Sequence, residues 1–297
     1  MTLILGSLEL GFIYGLLAVG IYISFRILNT PDLTAEGSFT LGLAISARIA
    51  VGGHPWLGLL AGALCGALAG SVTGFFQTVM MIHPILAGIL TMSGLYSVNI
   101  FIMGASNLSL ISGTTIFKEL RELLPFLDKE TVKILISAFF VLVVFILLVL
   151  FFKTKIGLRI RATGDNEEMV RASSINANMM RILALAVSNA CIAFSGALLA
   201  QYQGYADISS GVGILVVGLA SVIIGEVFGG RKSVTAGLAA SILGSVIYRY
   251  IIALATRANL FPAYMLKLMS ALIVFVALSI PAIRYYIGVF RQKRGNR

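Results

Sequence analysis

Residues 153–181, KTKIGLRIRATGDNEEMVRASSINANMMR, decide how this chain is read. They separate two long apolar runs, Val132–Phe152 and Ile182–Ala200. Lys153, Lys155, Arg159, Arg161, Arg171 and Arg181 stand there against Asp165, Glu167 and Glu168. A chain that is mostly membrane keeps its polar connections short. A long basic connection with helix signals inside it reads instead as a docking surface for a soluble partner on the cytoplasmic side.

The runs around it set the solvent. Of 297 residues, 59% are hydrophobic and 11% charged, where a soluble domain carries about 25% charged residues. That much apolar surface needs a bilayer. Nine candidate spans follow: 3–25, 36–51, 56–80, 84–104, 132–152, 180–200, 211–229, 233–256 and 263–288. The second is the weakest. It is short for a span of about 20 residues, and it carries Glu36 and Arg48. The expected fold is an all-α polytopic membrane protein of about nine helices (eight to ten), one transmembrane domain over 1–297. Nine crossings put the N-terminus outside; a re-entrant 31–51 segment would bring it inside. The net charge of +10 gathers at the ends of apolar runs, which points to topology and lipid headgroups and away from nucleic acid. Placing 153–181 in the cytoplasm puts Arg26, Arg231, Lys232 and the tail RQKRGNR on the same side, and 105–131 outside.

Function classes narrow by what is missing. Cys65 and Cys191 both lie in apolar runs and read as buried thiols; His54 and His83 stand alone, so no metal spacing exists. Gly225–Ser233 resembles a phosphate-binding loop with one residue inserted. It lacks the strand-to-helix setting that loop needs and reads as a tight turn between spans. HExxH, GxSxG and Asp-rich motifs do not occur, so no catalytic residue is assigned. The sequon at Asn107 reads as chance, and Phe117 to Phe126 have the spacing of a short interfacial helix.

Three groups of residues carry signals. Gly62, Gly66, Gly70 and Gly74 recur every four residues and form a stripe for close helix packing. Asp165-Asn166-Glu167-Glu168 reads as a helix start, with Asp165 as cap and Glu168 completing a capping box. That helix would run over Asn166–Ser173, with Met169 and Ala172 on one face, Arg171 on another, and a second turn starting at Ser174 or Asn176. Polar groups within spans are site candidates: Asp32, Thr34 and Ser38 around a break at Pro31, then Ser93, Tyr96 and Asn99 on one helix face, and Asn189 in mid-span. Interhelical glue is the more usual role for the two asparagines. Glu226 is expected to pair with Arg231 or Lys232. Gln201, Gln203, Tyr205 and Asp207 mark the outer edge.

The segment GLRIRATGDNEEMVRASSINANMMRILALAVSNACIAFSGALLA, from Gly157, resembles the coupling-helix region of ATP-binding-cassette importer permeases of the branched-chain amino acid and ribose type. GLLAVGIYISFRILNTPDLTAEGSFTLG resembles that family's first span and polar break, and GLASVIIGEVFGG its glycine-rich span. PDLTAEGSF, GILTMSGLYSVNI, RATGDNE and ALLAQYQGYADISSGVGILVVGLASVIIGE are similar to the subgroup linked to tryptophan or tyrosine. Pro31-Asp32-Leu33-Thr34 departs from the sugar and branched-chain relatives. The resemblance implies a non-catalytic permease of a bacterial inner membrane that imports a small solute, an amino acid and in preference an aromatic one. Sugars, nucleosides and branched-chain amino acids are the alternatives, and an ion-coupled secondary transporter is a further one. It implies partners as well: two ATP-binding subunits that hold ATP and Mg, a second permease copy, and an extracytoplasmic binding lipoprotein. It places Gly164 to Met169, with Arg171 and Ala172, at the contact with the ATPase.

Overall fold

The computed structural model describes residues 2–111, 113–123, 128–229 and 233–257, together with 268, 271, 272, 274, 275 and 279. The order is α1 (Thr2–Tyr22), a π-helical turn (Ile23–Ile27), α2 (Thr34–Val51), α3 (Pro55–Thr78), α4 (Pro84–Met103), β1 (Asn107–Ser109), α5 (Ile116–Leu123) and α6 (Lys129–Lys153). Then follow α7 (Lys155–Asp165), α8 (Glu167–Ala172), α9 (Ala177–Gln203), β2 (Tyr205–Asp207), a 3-10 turn (Ile208–Gly211), α10 (Ile214–Gly229) and α11 (Val234–Arg257). Among the described residues, seven helices are long and apolar enough to cross a membrane. The expected span at 263–288 and the turn at Arg231–Lys232 lie outside the described residues.

The weak second span becomes α2, which is not among the seven. Most of its residues are buried, with α3, α4 and α9 packed around it; Glu36 accepts from Gly213 N, and Arg48 lies exposed in its last turn. The two strands add a short antiparallel ribbon that the helical reading did not include. Asn107 pairs with Asp207 and Ser109 with Tyr205, which ties the α4 end to the α9 end. Gly104 and Gly204 end those two helices in the left-handed conformation, at φ 75° and 78°, where a residue without Cβ pays no steric penalty.

α9 is the axis. α3 descends antiparallel to it, and the predicted glycine stripe is the contact. A Cβ on Gly62 would meet Ala197, on Gly66 Ala193 and Asn189, on Gly70 the Leu185 carbonyl, and on Gly74 Ile182. From the other side, Gly42 of α2 presses on Ala193, and Gly196 of α9 on the Phe39 carbonyl. Lipid gives helices no hydrophobic reason to associate, so van der Waals contact and hydrogen bonds must do it. Serine hydroxyls supply the bonds. Ser188 donates to Gly20 O at 2.7 Å, Ser195 to Ile13 O at 2.7 Å, Ser245 to Gly11 O at 2.8 Å and Ser46 to Ala197 O at 3.0 Å. Each such bond contributes about 0.6 kcal/mol.

The opposite face of α3 shows the contrast. Leu60, Leu64 and Leu68 are exposed, with Leu68 at 66%. That is the normal state of a lipid-facing stripe. Replacing Gly70 by Val should therefore lower stability by about 1–3 kcal/mol through overpacking, and L68V should leave it nearly unchanged. Thermal unfolding in detergent measures both; equal melting temperatures would show that the stripe does not carry the α3–α9 contact.

Candidate functional site

Two regions hold the predicted site residues, one at a bundle end and one within the membrane layer. The end region begins where α6 stops. Thr154 caps α7 by accepting from Gly157 N at 3.2 Å, and Gly157 sits tight against Phe151 and Phe152. α7 was not expected; the glycines at 157 and 164 give its sequence the look of a loop. They are there for close approach. A Cβ on Gly164 would collide with the Ile27 carbonyl, so α7 lies directly on the π-helical end of α1.

Because α7 runs through Asp165, the cap of the next helix moves by one residue. Asn166, in extended conformation, accepts from Met169 N at 3.0 Å. The expected capping box from Asp165 to Glu168 is not formed, since Glu168 then falls one position too early. α8 is a single capped stretch, Glu167–Ala172. Ser174 takes a positive φ of 58°, and Asn176 caps α9 by accepting from Met179 N at 3.0 Å, as the alternative start at 176 implied.

Glu167 organises this end. Its Oε2 accepts from Arg181 at 2.6 Å, and its Oε1 accepts from Arg171 at 2.7 Å. Arg171 also reaches Asn178 Oδ1 at 2.7 Å. α8 is thereby fixed to the first turns of α9. Val170 turns inward and is 1% exposed, whereas Met169 is 54% exposed. Asp165, Glu168 and Ala172 are exposed beside it. The result is a firm ledge with an apolar tip and an acidic flank.

Directly above, Arg26 at the end of α1 forms a two-pronged ion pair with Glu226 near the end of α10. The expected partners of Glu226 were its neighbours Arg231 and Lys232, which lie outside the described residues. The observed partner is 200 positions away in sequence, reached because α1 and α10 pack side by side.

The membrane-layer region forms at the break after α1. Leu28 N bonds Ile23 O at 2.9 Å and Thr30 N bonds Ser24 O at 3.0 Å, which absorb two peptide groups. Asn29 turns the chain with φ 53°. Asp32 then accepts from Thr34 N at 2.9 Å and from Asn189 Nδ2 at 2.6 Å. Asn189 lies roughly 18 Å along α9 from its first residue. Thr73 Oγ1 stands 2.7 Å from Thr34 Oγ1 and 2.9 Å from Thr91 Oγ1. Asp32, Thr34 and Asn189 are thus brought together and enclosed. Thr73 and Thr91 were missed, Thr73 because it sits inside the glycine stripe. Ser38 is also enclosed, and so is Gln77 of α3; neither side chain has a hydrogen-bond partner among the described residues.

Beside this seam is a cavity of about 330 Å³. Ser93, Tyr96 and Asn99 line it from α4, as their helical spacing predicted, and Glu36 and Thr40 line it from α2. Its far wall is the loop from Ile208 to Val212, whose approach the sequence did not signal. Asn99 Nδ2 donates to Gly37 O at 3.2 Å, and Glu36 Oε1 accepts from Gly213 N at 3.0 Å, just before α10 begins. The first turn of α2, at Glu36, and the loop leading into α10, at Val212, therefore meet at this cavity, and each helix has a carboxylate at its first peptide groups, where the helix dipole favours negative charge.

The sequence model of the family described as "Branched-chain amino acid transport system / permease component" matches residues 3–278. The chain is 37% identical over 280 residues to a tyrosine transport system permease protein of Clostridioides difficile, covering 94% of this chain and 91% of that protein. It is 36% identical over 227 residues to an uncharacterized protein of Rickettsia prowazekii, covering 76% of this chain and 78% of that one. No solved structure matches it. With seven helices among the described residues long and apolar enough to cross a membrane, and this match over nearly its whole length, the chain is a multi-pass membrane protein that belongs to the branched-chain amino acid transport permease family.

Proposed function

We propose that this chain is the membrane-spanning subunit of an ATP-driven importer for an amino acid, with an aromatic side chain preferred. The observation that carries this reading is the ledge at α8. It is capped, pinned by Glu167 to α9, and exposes Met169 with Glu168 and Ala172. An apolar tip on a rigid support suits insertion into a groove of a soluble partner. The family match and the tyrosine permease relative support an amino acid as cargo.

In this reading the ledge faces the cytoplasm and two ATP-binding subunits hold it from below, with ATP and Mg in their own sites. A second copy of this chain completes the pathway, and an extracytoplasmic binding lipoprotein delivers solute. The ribbon end and α5 face that receptor. The chain itself performs no hydrolysis and transmits motion along two routes. One runs from α8 through Glu167 and Arg181 into α9. The other runs from α7 at Gly164 to the π-helical end of α1. From there residues 28–33 lead to α2, and Arg26 leads through Glu226 to α10. The first turn of α2 and the loop leading into α10 meet at the cavity, so a displacement at the ledge widens or narrows it. Such coupling requires the ATPase to bind the two conformations of the permease with different affinity, by about 1.4 kcal/mol for each factor of ten in their populations.

The buried Asp32 carboxylate is the feature that favours the competing reading, an ion-coupled secondary transporter. Uptake that stops when the proton gradient is collapsed and continues without ATP would support it.

Two variants separate these readings. Met169→Asp with Glu168→Lys alters only exposed positions and should leave the fold intact. In reconstituted vesicles with the ATPase and receptor, solute uptake should fall at least about tenfold, a loss of roughly 1.4 kcal/mol or more of coupling. Unchanged ATP-dependent uptake would remove the ledge from the mechanism. Gly164→Val, which forces α7 off Ile27, should keep the ATPase bound while uptake falls. Full uptake from that variant would show that motion does not pass through the α7–α1 contact.

A further inference from the structure

The ribbon end of the bundle holds a second cavity, of about 490 Å³. Four cations line it: Lys118 and Arg121 from one face of α5, and Lys129 and Lys133 from one face of α6. No acidic residue is among the lining residues. Of the nearby carboxylates, Glu9 is close enough to Lys133 to offset part of its charge, and the others lie outside the recess. Glu119 accepts from Trp56 Nε1 at 2.9 Å, and Glu9 lies behind the Tyr202 ring, accepting from its hydroxyl at 2.6 Å. Glu122, Asp128 and Glu130 neighbour the cations in sequence without lining the cavity.

The four cations are not equivalent. Lys118 Nζ donates to Gly113 O at 2.9 Å and to Ile111 O at 3.3 Å. Lys133 Nζ stands 4.6 Å over the Tyr202 ring, and an edge contact with Phe117 at 5.7 Å holds that ring in place. These two are positioned by the protein. Arg121 and Lys129 have no ion-pair partner among the described residues, and both are exposed. Gathering four like charges around a recess is unfavourable unless an anion occupies it. A guanidinium offers paired donors that match phosphate oxygens, and ammonium groups add point charge. The recess sits where α6 begins and α9 ends, which is the depth of headgroup phosphates. Its walls are partly apolar at Leu110, Ile111 and Phe117.

We propose that this cavity is a phosphate-class anion site, filled by the phosphodiester of an anionic phospholipid or by free phosphate, which present the same oxygens. A recess at headgroup depth favours this over an acidic face of a partner protein, which would need a broader exposed surface. The inference is independent of the transport reading.

The test uses the full chain in a neutral detergent. Short-chain phosphatidylglycerol, short-chain phosphatidylcholine and inorganic phosphate are each titrated against its thermal unfolding. Phosphatidylglycerol should raise the melting temperature, phosphatidylcholine should not, and the effect should weaken with added salt. Arg121→Gln with Lys129→Gln should weaken binding about tenfold without lowering the melting temperature of the ligand-free protein. If that pair does not fold, Lys129→Gln alone gives the same comparison. A shift with inorganic phosphate of comparable strength assigns the site to a free anion; a shift with the lipid alone assigns it to the headgroup. Equal shifts with both lipids, or no shift with any of the three, overturn the proposal. A response only to an acidic peptide added in parallel overturns it as well.

Discussion

A peptide group left unpaired in hydrocarbon costs several kcal/mol, and residues 28–33 place a stretch of irregular chain within the membrane layer. The Asp32 carboxylate is what makes that stretch tenable. It closes the first turn of α2 and ties it to Asn189 in the middle of α9. Around it, Thr34, Thr73 and Thr91 join α2, α3 and α4, and the glycines of α3 bring the backbones close enough for such short side chains to meet. Without close packing the polar seam would not form. Without the seam, α2 could not start inside the layer.

Starting there has a consequence for function. A helix that begins inside the membrane offers its first peptide groups and its dipole to a cavity in place of solvent. α10 does so at Gly213, whose N–H is taken by Glu36, while the first N–H of α2 is taken by the enclosed Asp32 and its first turn reaches the cavity at Glu36. Both are also connected to the α7–α8 end, α2 through the chain itself and α10 through Arg26 and Glu226. The ledge at the surface and the cavity are thus connected through residues 28–33 and through the Arg26–Glu226 ion pair.

Much of this was legible in the residues. The four-residue glycine spacing gave the α3 stripe, because helical geometry leaves no other face for it. Ser93, Tyr96 and Asn99, three residues apart, share a helix face and form one wall of the cavity. The firm ledge was visible in its charges and caps, though its cap was misplaced by one residue. That error has a physical cause: Gly157 and Gly164 look like loop residues, and their tight fit against Phe152 and Ile27 depends on tertiary contact alone. The pairing of Arg26 with Glu226 was hidden for a similar reason. Arg231 and Lys232 are its neighbours in sequence, and only the packing of α1 on α10 brings Arg26 to Glu226. The wall from Ile208 to Val212 carried no periodic pattern, so nothing local revealed it.

The whole reading rests on what holds the ledge. A photo-crosslinking amino acid placed at residue 169, in the transporter assembled in its native membrane, reports that contact directly. Adduct formation with the ATP-binding subunit from position 169, and none from a matched probe at Tyr205 on the ribbon end, is the expected result. Adducts of residue 169 with lipid alone, or labelling of residue 169 from outside intact cells by a reagent that cannot cross the membrane, would contradict it.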